Sequence, residues 1–341
     1  MDSPLKDHRT PLERLPRNPG SVIRGASKLY GFLSALNGGF MNLLPNIRTR
    51  VPLISVGNLE VGGTGKTPIL AKLASMLNGL GYQPGLLTGL GEGGSSGILN
   101  LGDAILDTES PDEAQMLARR FPDLAVIAAR PKWKGAKTLD AQRVCDVILL
   151  DDGFQHQRLA RDIDLVLISG SVPLTSNQVL PAGPLREFPS ALKRADAFLL
   201  PELVDLPEEL PDRPVFRFRT LNTGLFELGG EKAETSGRPF MVISAIARPG
   251  RFEDASSHWG EIALRLRFRD HAPWSIEIRD SIAEAMEEYP DCQPLLTEKD
   301  AARWGASWDL PGPPPLYLDL QIDWEDPQAL LDWLDSRLKS C

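Results

Sequence analysis

Residues 55–70 read "SVGNLEVGGTGKTPIL". The stretch leaves an apolar run, "RVPLISV" (50–56), and crosses a glycine cluster. It then enters "KTPILAKLASMLNGLGY" (66–82), where Ile69, Leu70, Leu73, Ala74 and Leu77 recur at helical spacing. This predicts strand, loop and helix. Gly62, Gly63 and Gly65 let backbone N–H groups converge on anionic oxygens at a helix N-terminus, where the dipole also favours negative charge. In the pattern G-x-x-x-x-G-K-[ST], Lys66 reaches the β- and γ-phosphates of a nucleotide, Thr67 ligates Mg²⁺, and Thr64 lies within the cradle. Glu60 stands where the pattern has its first glycine. The bland alternative, a glycine turn with an exposed lysine, does not account for three glycines, a lysine and a threonine in this order.

Outward from the loop, apolar runs bounded by turns recur as "PGLLTG", "LAVIAA", "CDVILLDDG", "IDLVLISG" and "ADAFLLP". Short continuous strands alternating with helical segments predict an α/β fold, a mostly parallel sheet covered by helices on both faces. From residue 214 the chain changes to "PVFRFRTLNTGLFELGGE", whose alternation through a turn predicts a hairpin, before α/β order resumes in a smaller C-terminal lobe. The expected divisions are 1–50, a basic N-terminal region; 51–213, the nucleotide-binding core; and 214–341, hairpin and second lobe. "GLGEGG" (89–94) fits G-x-G-x-x-G, but no helical period follows it, so it reads as a turn or active-site loop rather than a dinucleotide fingerprint.

The chain has 341 residues and a net charge of −9, so no nucleic-acid partner is expected. Three scattered cysteines give no paired spacing and fit a reducing compartment. The polar, proline-rich start predicts no signal peptide, and no apolar run is long enough for a transmembrane helix. Residues 1–50 nevertheless hold eight Lys and Arg against three Asp and Glu, leaving −14 on the remainder. There Val22, Ala26, Leu29, Leu33, Leu36 and Phe40 form a helical stripe, with Arg24 and Lys28 on another face. Such a basic amphipathic helix either lies in a membrane interface or packs on the domain by the same stripe.

"VILLDDGFQHQRLARDIDLVLIS" places Asp151 and Asp152 at the C-terminal end of a buried strand, the edge where open α/β sheets bind ligands and where a phosphate-loop enzyme needs an acid for Mg²⁺. His156 adds a polar neighbour. "SPDEAQMLARRF" puts Asp112 and Glu113 in the first turn of a helix expected to be capped by Ser110, where acids commonly complement the dipole. Arg186 and Glu187 lie on a proline-rigid loop, where an arginine can bind a second phosphate bidentately. Asp270 and His271 form a candidate proton-handling pair.

Taken in this order, "PLISVGNLEVGGTGKTP", "LLDDGFQHQRLARDIDLVLI", "LPAGPLRE", the "DH" of "FRDHAPWS" and "LLTEKDA" resemble the tetraacyldisaccharide 4′-kinases. Those enzymes phosphorylate the lipid A disaccharide precursor on the cytoplasmic face of the bacterial inner membrane. The resemblance runs from about residue 20 to the end. It implies ATP at Gly62, Gly63, Thr64, Gly65, Lys66 and Thr67, with Lys66 also catalytic. It implies Mg²⁺ at Thr67, Asp151, Asp152 and Glu113. Asp112 and His271 would form the dyad that activates the sugar 4′-hydroxyl, and Asn58, Gln155, His156, Arg186 and Glu187 would face the acceptor. The amphipathic segment would dock peripherally on the anionic inner membrane, with no obligate protein partner. Three departures are visible: "TGLGEGG" lacks the family's arginine and tyrosine, Ala272 replaces a second histidine, and the Gly-Asp-Glu-Pro signature is reduced to "PDEA" (111–114).

A rival remains open at this stage. The same loop could serve a membrane-recruited ATPase switch, although Val61 stands where such loops carry a second lysine. A folded, lipid-binding but inactive kinase homologue is the third reading.

Overall fold

The computed structural model describes residues 5–7, 46–90, 97–100, 111–170, 172–176, 178–235, 237–270, 272, 274–304 and 310–341. The amphipathic segment, Ser110 and His271 lie outside these residues. Two compact units are present, one built from β1 (Leu5–Asp7) with Leu221–Gln321, the other from the preceding chain to Thr220 with Ile322–Cys341. Among the described residues no helix is long and apolar enough to cross a membrane.

The larger unit opens with β2 (Leu53–Asn58), buried at every position, and α1 (Lys66–Gly79), which buries the five apolar residues of the expected stripe. It continues through β3 (Pro84–Gly89), β4 (Gly97–Asn100), α2 (Asp112–Arg120), β5 (Val126–Ala129), α3 (Lys132–Gln142), β6 (Val147–Asp151), β7 (Ile163–Leu167) and β8 (Ala197–Pro201) to β9 (Val215–Glu227). The strand order is β9-β8-β7-β2-β6-β3-β5-β4, parallel except where β4 runs against β5. Strands β2, β6 and β7 are buried along their whole length, as a sheet covered on both faces requires. Most of "GLGEGG" lies outside the described residues; the next described element is the strand β4, not the helix that a dinucleotide fingerprint opens.

β2 lies between β6 and β7, while the chain leaving it goes first to β3, beyond β6. The connections therefore diverge at the C-terminal end of β2, the place where open α/β sheets bind their ligands.

In the smaller unit β10 (Lys232–Ala233), β11 (Phe240–Ser244), α4 (Pro249–Ser257), β12 (Ile262–Arg267), α5 (Ile276–Glu288), β13 (Gln293–Thr297) and α6 (Glu298–Arg303) precede β14 (Leu316–Trp324). The parallel order is β1-β12-β11-β13-β14, over a core that includes Met241, Ile243, Leu264, Leu266 and Leu296.

The segment expected to turn within residues 214–231 is mostly a single 13-residue strand, β9. A side-chain hydrogen bond from Thr223 Oγ1 to Asp319 Oδ2 holds it through Asn222 and Gly224. The expected hairpin is present, with its reversal at the end of that stretch, where the Glu227 N–H donates to the Glu231 carbonyl at 2.8 Å and β10 pairs back on β9. The sequence places one division at 214, whereas the units divide after Thr220 and again after Gln321. The final helix, α7 (Pro327–Leu338), belongs to the larger unit. Trp333 meets Phe216 and Trp324 meets Phe218, each at a ring separation of 5.5 Å, and Tyr82 donates to Asp335 at 2.9 Å.

Candidate active site

The loop after β2 opens onto α1 through Gly65, whose φ of 90° lies in the left-handed region that disfavours side chains. No side chain caps α1 and its own first turn carries no acid, so its leading backbone N–H groups are not taken by a capping side chain. Glu60, the departure from the glycine pattern, is buried with both carboxylate oxygens 2.6–2.7 Å from the Ser169 hydroxyl, while the neighbouring Val61 N–H donates to the Pro184 carbonyl at 2.8 Å. An acid here anchors the loop to the β7 and Arg186 loops, and it replaces the conformational freedom a glycine would supply.

Lys66 is 9% exposed. Its ammonium donates to Asn58 Oδ1 at 3.1 Å and pairs with Asp152 Oδ1 at 3.3 Å. The Asn58 amide in turn donates to Thr64 Oγ1 at 2.9 Å. Asn58, fully buried at the end of β2, thus sets both the loop and its lysine.

Asp151 ends β6, with Oδ2 accepting a 3.1 Å hydrogen bond from Thr67 and Oδ1 buried without a hydrogen-bond partner. Burial pushes its pKa up, with Lys66 pulling the other way and the charges of Asp152 and Glu113 adding to the rise. Glu113 is therefore close enough to act on Asp151 electrostatically. α2 begins at Asp112 behind Pro111, one residue later than a Ser110 cap requires, and Asp112 is buried in its first turn.

Asp152 adopts a left-handed φ of 51°, uncommon for a non-glycine residue. Burial alone would raise its pKa, but Lys66, Arg186 and Lys132 outweigh burial and hold it well below the usual carboxylate range. Arg186 donates to Asp152 Oδ2 at 2.6 Å and to Gln155 Oε1 at 3.3 Å, and Gln155 closes the ring by donating to the Asn58 carbonyl at 2.9 Å. Arg186, expected to face a phosphate, here places its Nη1 in this network. Glu187 is held by Arg194 in a two-oxygen pair at 3.0–3.1 Å, with the Arg194 guanidinium 4.4 Å over the Phe154 ring. In this structure it braces the loop.

Sequence reasoning missed Lys132. Its buried ammonium donates to the carbonyls of Asp151 and Asp152, at 2.5 and 2.8 Å, and burial lowers its pKa against the pull of the two aspartates. Its position just after β5, at the ligand edge of the sheet, was the available signal. His156 is exposed, yet desolvation by its surroundings, together with Lys132, Arg161 and Arg186 and against the pull of Asp152, lowers its pKa to about 4. It is neutral at pH 7.

The structure therefore brings Asn58, Lys66, Thr67, Asp151, Asp152, Gln155 and Arg186 together and adds Lys132. The expected Asp112–His271 pairing lies outside the described residues at His271. No group of three or more His, Cys, Asp and Glu among the described residues forms a metal cage. The unpartnered Asp151 oxygen beside a threonine hydroxyl nevertheless suits a cation completed by phosphate and water oxygens. Chemically, the arrangement presents a cationic cradle for a polyphosphate next to acids of opposite protonation tendency.

A family model described as tetraacyldisaccharide-1-P 4′-kinase matches residues 21–339. The tetraacyldisaccharide 4′-kinase of Bradyrhizobium sp. (strain ORS 278) is 32% identical over 343 residues, 96% of either chain. That of Chlorobium chlorochromatii (strain CaD3) is 33% identical over 308 residues, 82% of either chain. Among solved structures, LpxK from Aquifex aeolicus, described as an "apo" form in complex with ATP, aligns with a TM-score of 0.76 at 23% identity, covering 93% of this chain and 99% of that one. At that identity the likeness speaks for the fold.

Proposed function

The chain belongs to the tetraacyldisaccharide-1-P 4′-kinase family, an ATP-dependent phosphotransferase of lipid A biosynthesis, and on that premise we propose how its residues perform the transfer. The observation that carries the reading is Lys66. It sits at the start of an uncapped helix, between Asn58 and Asp152, within the cradle a nucleotide's phosphates would enter.

The backbone N–H groups of residues 62–67 bind the β- and γ-phosphates, and Lys66 exchanges some of its contact with Asp152 for a phosphate oxygen. Thr67 and Asp151 would hold Mg²⁺, with Glu113 adding charge nearby, and the ion would neutralise phosphate charge. The acceptor's 4′-hydroxyl oxygen forms a bond to the γ-phosphorus as the bond to the bridging oxygen breaks and ADP leaves. In a loose transition state the hydroxyl proton departs late, so an ordinary carboxylate suffices to orient it and then take it. Asp112, in the first turn of α2 beside Glu113, takes that role, and a contribution from His271 rests on the family resemblance alone. Gln155 and Arg186 fix Asp152 and with it the edge that the acceptor approaches. The basic amphipathic segment of residues 21–45 holds the enzyme on the cytoplasmic face of the inner membrane, where its lipid acceptor lies.

Purified protein given ATP, Mg²⁺ and the tetraacyldisaccharide 1-phosphate tests the reading. A kinase yields phosphorylated lipid in step with ADP. ADP formed without lipid product would instead indicate an ATPase switch, and neither product an inactive homologue. For the membrane contact, Leu29→Asp with Leu33→Asp should abolish flotation with anionic vesicles, and unchanged flotation would return the segment to core packing.

A further inference from the structure

Trp133, in the first turn of α3, borders a cavity of about 190 Å³ lined by Pro131, Lys132, Trp133 and residues 155–159. These residues follow the C-terminal ends of β5 and β6, so the cavity adjoins the carboxylates on the ligand edge of the sheet. Two cations stand over the Trp133 ring, with the Arg158 guanidinium carbon 5.7 Å and the Lys134 Nζ 5.8 Å from its centroid. Neither makes an ion pair among the described residues, in a chain whose net charge is −9. The backbone beneath Arg158 is fixed: its carbonyl accepts from the Ile47 N–H at 2.9 Å, and the Ala160 N–H donates to the Ile47 carbonyl at 2.9 Å.

A cation held by an aromatic face differs from one held by a carboxylate. The ring occupies one face of the guanidinium and leaves its N–H edge free, and an ammonium over a ring likewise keeps donors for another acceptor. Arg158 lines the cavity at the ligand edge and shares the half-buried Trp133 ring with Lys134, so both can offer donors to a doubly charged oxyanion.

We propose that Arg158 and Lys134, oriented by Trp133, bind the phosphate monoester that the disaccharide acceptor already carries, and so select phosphorylated over unphosphorylated acceptor. The proposal rests on the kinase reading above. A lipid headgroup would offer the same phosphate chemistry, and the assay must separate the two sources.

Acceptor kinetics are measured in neutral detergent micelles with the tetraacyldisaccharide 1-phosphate and with its dephosphorylated counterpart. Arg158→Gln combined with Lys134→Gln should raise the acceptor KM at least about tenfold for the phosphorylated lipid, leave kcat and the ATP KM in place, and hardly alter KM for the dephosphorylated one. Trp133→Leu should reproduce the effect and Trp133→Phe should restore most of the lost affinity. Flotation of the double variant with phosphatidylglycerol vesicles should match wild type. Equal KM changes for both acceptors, or none, overturn the proposal. So does a loss of vesicle binding without a phosphate-dependent KM change, which would make the cations a membrane contact. Wild-type protein that phosphorylates neither acceptor overturns the kinase reading together with this proposal, whereas wild-type turnover with indifferent variants overturns this proposal alone.

Discussion

Replacing Lys132 by methionine keeps the length of the buried side chain and removes its donors, which exposes what the ammonium does. Its Nζ donates to the carbonyls of Asp151 and Asp152 at 2.5 and 2.8 Å. Leaving a buried acceptor unpaired costs about 1–3 kcal/mol, so the two losses together amount to roughly 2–6 kcal/mol. Against this stands the relief of a buried cation, whose cost shows in the lowered Lys132 pKa; the net destabilisation expected is about 2–4 kcal/mol. Activity should suffer separately. Asp152 is held at a φ of 51°, a conformation that costs on the order of 1 kcal/mol or more for a non-glycine residue and persists only while its surroundings enforce it. Once the carbonyls are released, the turn relaxes and the carboxylate leaves Lys66 and Arg186. Urea unfolding and steady-state kinetics of Lys132→Met and Lys132→Arg, side by side, are the assay. Expected are an earlier unfolding transition and a kcat at least about tenfold lower for the methionine variant, with partial recovery by arginine. A methionine variant that unfolds at the wild-type urea concentration and keeps wild-type kcat refutes the reasoning.

Other consequences can be measured with the same preparations. A Cβ at Gly57 would lie 2.5 Å from Phe154 Cβ, so Gly57→Ala should cost about 1–3 kcal/mol and lower activity by displacing the Asp152–Gln155 turn; unchanged urea unfolding would contradict that close approach. Because the His156 pKa of about 4 lies below its ordinary 6.5, the unfolded chain takes up that proton first, and stability should be lost as pH falls from about 6.5 toward 4. His156→Gln should flatten that stretch of the profile, and parallel profiles for the two proteins would contradict it. Of the three cysteines, Cys341 is exposed, whereas Cys145 and Cys292 are buried and burial pushes the Cys145 thiol up to about 12. Native protein should label once with a thiol reagent and three times after unfolding, and rapid double labelling would be inconsistent with the packing.

What was legible in the sequence was what local pattern determines. The apolar run before Gly57 and the stripe from Ile69 to Leu77 give β2 and α1, because strand and helix periods are written in neighbouring residues. Asp151 and Asp152 could be placed at a sheet edge because a buried strand ends there. The misreadings concern distant partners. Glu60 looks like a flaw in a glycine pattern until Ser169, 109 positions away, is seen to hold it. Lys132 reaches carbonyls 19 and 20 positions on, and carbonyls leave no mark in a sequence. α7 returns to the larger unit through Trp333 and Tyr82 contacts that no periodicity encodes.

The central claim is that a phosphate loop built around Lys66 moves a phosphoryl group from ATP to a lipid-linked sugar hydroxyl. The most direct test follows γ-labelled ATP with wild type and Lys66→Ala under identical acceptor and Mg²⁺ concentrations, with melting temperatures recorded for both. Lys66 loses contacts to Asn58 and Asp152 in the variant, but the loop backbone remains. Removing a charge that meets the transferring group should cost about 3 kcal/mol or more, at least roughly a hundredfold in rate. Expected, then, are label on the lipid equal to ADP formed by the wild type, a hundredfold or greater loss in the variant, and a variant that still melts cooperatively, at a temperature lowered by the lost Asn58 and Asp152 contacts. Label transferred by Lys66→Ala at the wild-type rate, or released by the wild type only as inorganic phosphate, would contradict the claim.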